Sequence, residues 1–338
     1  MWSHSPSRRG TTPSGKKHPQ LLTTLAELLQ YATAGDPVTG LKWTRKTSAK
    51  ISRELKRCGY GIGADTVRRL LRQQGYRLRA NRKRLNQKHD PQRDRQMRYL
   101  IGKRRAFQKA GLPVISVDAK QRELVGNFKN PGRAYRRTAL EVLESDYPSN
   151  ADGVAIPYGI YDVSWNDGFV VVGTSHQTPE FAVGAIRRWW VQVGQHRYGD
   201  KKHLLIEADC GGANGNRCWL WKFGLQQLAD EFDLTITVTH LPTSASKWNL
   251  IEHKLFCHIE ANWAGQPLID YETVLKFIRT TRTETGLRLR AYLDKTVYQT
   301  GLKITADQKT QINLKPRRVR PRWNYTIMPH AGGRNSEK

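Results

Sequence analysis

Five apolar runs, each too short to be a helix, set the main constraint on what this chain can become. They are Val114–Val117, Tyr158–Val163, Phe169–Gly173, Leu204–Ala208 and Thr235–Thr239. Such runs, rich in β-branched residues and bounded by Gly, Pro, Asn or Asp, read as strands. The second and third are joined by Ser164-Trp165-Asn166-Asp167-Gly168, a hairpin signal. Between the later runs the apolar period lengthens to that of a helix. Thr178-Pro179-Glu180 opens one that points Ala182, Ile186, Trp189 and Val193 inward, and the tandem Trp189-Trp190 reads as core. Cys218, Trp221, Leu225, Leu228 and Phe232 share one side of the next. A last helix is predicted from about Trp248 to Trp263, with Ile251, Leu255 and Ile259 as its stripe. Three strands, helix, strand, helix, strand, helix makes a mixed sheet covered by helices.

Three acids fall where that order ends a strand or begins a helix. Asp118 closes the first strand and Asp209 the fourth, while Glu252 lies near the start of the last helix, after His240-Leu241-Pro242. Ligand sites in α/β sheets collect at the carboxyl ends of strands. Glu252 is one position round from the apolar stripe, which puts it on the rim of the buried face. Carboxylates gathered this way make an oxygen-rich pocket for hard divalent cations. A pair of such ions serves in-line phosphoryl chemistry on nucleic acids, so two Mg²⁺ or Mn²⁺ ions are expected. Glu207, Asp162 and Glu123 are rival acids. Glu207 should face the other side of the sheet from its neighbours, and Asp162, ending the second strand, suits a supporting place behind the site. Acids at the ends of the first and fourth strands, in this element order, give the ribonuclease H-like layout. The fold expected over 111–290 is therefore a five-stranded mixed sheet with flanking helices. Lys247 and His253 flank Glu252 and are candidates for contact with a phosphate, and Asn249 is placed to brace the turn before the helix.

The charge says what such a pocket would act on. The chain carries 57 Lys plus Arg against 29 Asp plus Glu, a net of +28. The excess is local: +21 over residues 1–110, −1 over 111–289 and +8 over 290–338. A near-neutral centre with basic arms suits a catalytic core flanked by polyanion-binding segments. Residues 1–20 read as a disordered basic tail and 21–80 as a helix-turn-helix region. Its first helix carries Leu21, Leu22, Leu25, Leu28 and Leu29; its second Ile51, Leu55 and Cys58, closed by Gly59; its third starts at a cap, Asp65, and buries Val67, Leu70 and Leu71. The outer face of the third is Arg68, Arg69 and Arg72, and Arg77, Arg79, Arg82, Lys83 and Arg84 follow. A basic third helix is what the major groove of DNA takes. Residues 81–110 read as a basic linker, with a helix opened by Asp90-Pro91, and 291–338 as a basic C-terminal segment. The four cysteines form no C-x-x-C pair, which fits a reduced cytosol and leaves a zinc site of Cys210, Cys218, His253 and Cys257 without its usual spacing. No apolar run approaches the roughly 18 residues of a membrane span, and no apolar signal core stands at the start.

Several blocks together resemble a known family. SVDAKQRELVGNFKNPGR, PYGIYDV, FAVGAIRRWW, LLIEADCGGANGNR, HLPTSASKWNLIEHKLFCHIEANWAGQPL and WNYTIMP are similar to those of a bacterial insertion-sequence transposase family of the ISAzo-thirteen type. It belongs to the DDE class, which shares the ribonuclease H-like fold. The likeness runs from about Leu21 to Pro329. Carried over position by position, it makes Asp118, Asp209 and Glu252 the metal-binding triad. It implies phosphodiester hydrolysis at the element ends followed by strand transfer into target DNA. Terminal repeats and target DNA would be the partners, with a homo-oligomer on DNA in the bacterial cytoplasm, associated with the nucleoid. The chain departs from the family pattern in Thr243-Ser244-Ala245 where Pro-Gly-Thr is usual, in Cys210 where a glycine is usual, and in Pro321-Arg322 where His-Gly is usual. Met1 is expected to enter partway through the DNA-binding region. Two other readings stand beside this one: a transposase remnant that only binds DNA, and a nuclease of the same fold that cuts without joining.

Overall fold

A computed structural model describes residues 20–30, 33–35, 42–44, 46–77, 90–243 and 245–331, and the chain divides into two compact units, Met1–Leu85 and Asn86–Lys338. In the first unit, helices α1 (Gln20–Gln30), α2 (Ser48–Arg57) and α3 (Ala64–Gln73) close on one apolar cluster. Leu21, Leu25, Leu29, Ile51, Leu55, Val67 and Leu70 form its buried part, while Leu22, Leu28 and Leu71, also expected on these faces, are only partly buried. Helix α2 begins at Thr47, whose hydroxyl accepts from the Lys50 amide, and Gly59 follows its end at φ +88°, where a side chain would be strained. Cys58 lies at that end and is exposed rather than packed. The cap of α3 is Gly63, not the predicted Asp65: Gly63 is extended (ψ 164°), while Asp65 sits inside the first turn and pairs with Arg68. A carboxylate is favourable there too, facing the positive end of the helix. A two-stranded antiparallel ribbon, β1 (Thr33–Gly35) and β2 (Lys42–Thr44), joins the helices. Strands of three residues are too short to show a period, so the ribbon was not legible from pattern alone.

The second unit is built on a mixed sheet that, among the described residues, has nine strands rather than the predicted five. The five predicted strands are β3 (Val114–Ala119), β5 (Gly153–Asp162), β6 (Asp167–Gly173), β7 (His203–Ala208) and β8 (Thr235–His240). They lie in the order β8-β7-β3-β5-β6. Here β3, β7 and β8 are parallel, and β5 runs antiparallel to both β3 and β6. That is the ribonuclease H-like order. The additions are β4 (Glu123–Val125) on β5, β9 (Arg288–Asp294) parallel to β6, and β11 (Asn324–Ile327) antiparallel to β8, edged by β10 (Leu314–Pro316). The basic C-terminal segment thus supplies sheet edges. Its arginines and lysines hid the short apolar runs between them.

Helices cover both faces. Phe169 and Val171 of β6 belong to one apolar cluster with residues of α5 (Pro179–Trp189), α6 (Gln195–Tyr198) and α7 (Trp219–Phe232), while Val170 and Val172 belong to the other. Thr178 caps α5 by accepting from the Phe181 amide, and Trp189 and Trp190 are core, as their spacing predicts. The helix expected as a linker, α4 (Arg93–Lys109), belongs to this unit and packs on β3 and β7. It starts later than Asp90-Pro91 suggests, because Asp90 spends its carboxylate on the Gln92 amide and on Arg320. Two buried links hold α4 in place. Arg104 grips Glu207 through three hydrogen bonds of 2.7–3.1 Å, and Gln96 exchanges amide bonds with Asn324.

The last predicted helix differs most from its expected form. Ser246–Trp248 makes a 3₁₀ turn, Glu252–Phe256 a π-helical turn, and only then does α8 (Cys257–Asn262) become regular. Its stripe still packs: Ile251, Leu255, Phe256 and Ile259 are fully buried. Gly159 of β5 makes the approach possible, since a Cβ there would lie 2.7 Å from Phe256 and 2.9 Å from Ile251.

Candidate active site

Asp118 stands near the end of β3, opposite Gly159 of β5, and Asp209 directly follows β7. Because β3 and β7 are parallel neighbours, their ends bring the two carboxylates side by side. Glu252 opens the π-helical turn, half-buried, within electrostatic reach of both. Burial pushes the Asp118 carboxyl up to about 8, helped by the charges of Asp209 and Glu252. Asp209 and Glu252 are raised as well, each mainly by burial. Three acids that each hold a proton too tightly form a site short of positive charge.

Fixed donors orient these groups. Asp118 accepts from the Ala119 amide at 2.8 Å and from Asn249 Nδ2 at 2.7 Å, and Asn249 is itself buried and reaches Ser116 at 3.5 Å. Asp209 accepts from Asn214 Nδ2 at 3.0 Å and from the Gly211 amide. Its main-chain carbonyl accepts from His240 Nδ1 at 2.6 Å. Burial pushes the His240 imidazole down to about 4, so the ring is neutral near pH 7. Sequence reasoning had Asn249 bracing the turn before the helix, whereas it holds Asp118, and it missed Asn214 and His240. No spacing rule links a histidine ending one strand to the acid ending its neighbour.

The rival acids lie elsewhere. Glu207 is spent on Arg104, and Glu123 on Lys120 at 2.5 Å. Asp162 pairs with Ile115 at the far end of β3, so it stands away from Asp118 and not behind it. There it accepts from Tyr198, Arg197 and the Ser164 and Trp165 amides and locks the hairpin corner. Lys247 and His253 are both exposed; His253 adjoins Glu252 in the chain, while Lys247 lies 5.7 Å from the Trp248 ring. In the first unit Arg68, Arg69, Arg72 and Arg77 are exposed, as predicted. Arg79, Arg82, Lys83 and Arg84 lie outside the described residues.

Among the described residues no three His, Cys, Asp or Glu side chains are gathered tightly enough to cage an ion by themselves. That donor set still fits Mg²⁺ or Mn²⁺, which take one or two carboxylates and complete their shells with water and substrate phosphate. The fully buried Tyr158 hydroxyl, within reach of the charge of Asp118 and Asp209, has no hydrogen-bond partner among the described residues.

A family model, the Rhodopirellula transposase DDE domain, matches residues 24–329, and the chain belongs to this ISAzo-thirteen family of DDE transposases. It is therefore a DNA transposase by family, an enzyme of the polynucleotidyl transferase class. Similar solved structures include the Mos1 transposase paired-end complex with left transposon end, 12% identical, covering 82% of this chain and 72% of that one, TM-score 0.41. Another is a pre-cleavage Mos1 transpososome, 13% identical, covering 81% and 73%, TM-score 0.42. A third is the Mos1 mariner paired-end complex with Mn, 12% identical, covering 82% and 72%, TM-score 0.41. Likenesses this distant leave the assignment resting on the family match and the sheet order. No curated protein matches by sequence. No helix among the described residues is long and apolar enough to cross a membrane.

Proposed function

We propose that Asp118, Asp209 and Glu252 are the catalytic acids of an insertion-sequence transposase and hold two divalent ions, Mg²⁺ or Mn²⁺. The observation that carries this is their placement: three carboxylates at two strand ends and a helix start, each with its proton affinity raised, mainly by burial. Ions bound there would neutralise the developing phosphate charge and make water a better nucleophile. The acids and their amide partners fix the direction of attack. A water oxygen bonds to phosphorus at the element end, the bond to the 3′ oxygen breaks, and a 3′-hydroxyl leaves with a proton. That hydroxyl then attacks a phosphodiester of target DNA, exchanging one such bond for another without ATP.

Lys247 and His253, beside Glu252, are proposed to contact the scissile strand. Arg68, Arg69, Arg72 and Arg77, with Arg79, Arg82, Lys83 and Arg84, are proposed to bind terminal repeats through phosphate contacts, with affinity that falls steeply with salt. A homo-oligomer on paired ends, in the bacterial nucleoid, completes the proposal.

The test is a cleavage and strand-transfer assay on DNA carrying the flanking element ends, with Glu252→Gln run alongside. Joined products with Mg²⁺ or Mn²⁺, abolished by EDTA and by the variant, are expected. Binding without cutting would favour the remnant, and cutting without joining the nuclease.

A further inference from the structure

The block Trp323–Pro329 lies far along the chain from the acids, yet its strand, β11, runs beside β8 and ends up behind Asp209. A directional chain of hydrogen bonds connects the two. The Asp209 carbonyl can only accept, so His240 Nδ1 must be the donor at 2.6 Å, which leaves Nε2 as an acceptor. The Tyr325 hydroxyl, 3.3 Å away, donates to Nε2 and accepts from Trp221 Nε1 at 3.1 Å. The main chain of His240 is held as firmly. Its amide donates to the Trp323 carbonyl at 3.0 Å, and its carbonyl accepts from Gln96 Nε2 at 2.8 Å. Gln96, His240 and Asn324 are completely buried and Tyr325 nearly so. Each polar group of the imidazole and of its main chain therefore has a partner, and each bond one direction.

We infer that His240 and Tyr325 are positioning residues that fix the main chain of Asp209 and so set where its carboxylate meets the metal ion. The inference rests on Asp209 being a metal ligand. The chain after Asp209 turns through Gly211 and Gly212, the latter at φ +60°, so it has little stiffness of its own. The histidine supplies the stiffness from behind. Its donor holds the peptide that links Asp209 to Cys210, and so adds to the Asn214 and Gly211 donors that orient the carboxylate itself. Removing groups that orient a metal ligand typically costs about 10- to 100-fold in metal affinity or activity.

The experiment uses the full chain and follows Mn²⁺ binding by calorimetry together with cleavage of element-end DNA as a function of Mn²⁺ concentration. His240→Ala is expected to weaken Mn²⁺ binding about 10- to 100-fold, with the cleavage rate recovering at saturating metal. His240→Asn keeps an N–H near the place of Nδ1 and is expected to restore most of the affinity. His240→Gln, whose amide mimics Nε2, is not. Tyr325→Phe keeps the ring and loses the hydroxyl, and should show a smaller loss of the same kind. Parent-like Mn²⁺ binding in His240→Ala overturns the inference, and so do losses in the Ala and Asn variants that are equal and merely follow a lowered melting temperature. Asp209→Asn serves as the control. If it binds Mn²⁺ and cuts like the parent, the reading of the site itself fails, an outcome distinct from failure of the histidine relay alone.

Discussion

The Asp118 carboxyl gives the site its clearest pH signature. In the metal-free protein it keeps a proton up to about pH 8, whereas an aspartate in an unfolded chain releases one near pH 4. Between those limits the folded state binds more protons than the unfolded state. The stability this gives is complete below the unfolded value and is lost as pH rises through the folded one. Asp209 and Glu252 are shifted in the same direction and add to the trend. Thermal melts in EDTA should therefore show the parent losing stability from pH 5 to pH 8, with Asp118→Asn, which cannot ionise, losing less. Parallel curves for the two proteins would contradict the shift. The candidate acids were legible in the sequence because each follows a strand run or opens a helix. What sets their chemistry was not: His240 and Tyr325 reach the site through contacts between segments far apart in the chain, and Asn214 through a local turn that no period marks.

Among the elements, the segment from Ser246 to Asn262 does most to shape the site. Its apolar stripe was readable, and the stripe packs as predicted. Its winding was not, because the π-helical turn at Glu252 follows from the fit of Ile251 and Phe256 over Gly159, and a period cannot register a neighbour. Turns of this kind recur at functional sites. Gly159→Ala would place a methyl group against Phe256 and Ile251 and force the segment outward. Overpacking of that kind costs about 1–3 kcal/mol. Melting should show that loss, and metal-dependent cleavage should fall with it, since Glu252 rides on the displaced turn. Unchanged cleavage in a destabilised protein would mean that the turn does not set the position of Glu252. The sheet edges teach the same lesson on a larger element: β10 and β11 are short and lie among basic residues, so their membership is visible only from the pairing of β11 with β8 and of β10 with β11.

On the scale of the whole molecule, the fold places acids at the strand ends of a near-neutral stretch, residues 111–289, and leaves the largest excess of positive charge in residues 1–110. That division was legible from charge alone, and it is how a chain can bind a polyanion and still keep a pocket for cations. Membership of a DDE transposase family makes DNA the substrate, and what remains to be proved is that these particular acids are metal ligands. The direct measurement is cleavage of element-end DNA by Asp118→Cys in Mg²⁺ and in Mn²⁺. A thiolate suits the softer Mn²⁺ better than Mg²⁺. Cleavage that disappears with Mg²⁺ and returns in part with Mn²⁺ is the expected result. Equal cleavage with both ions, at the level of the parent, would show that Asp118 does not hold the metal.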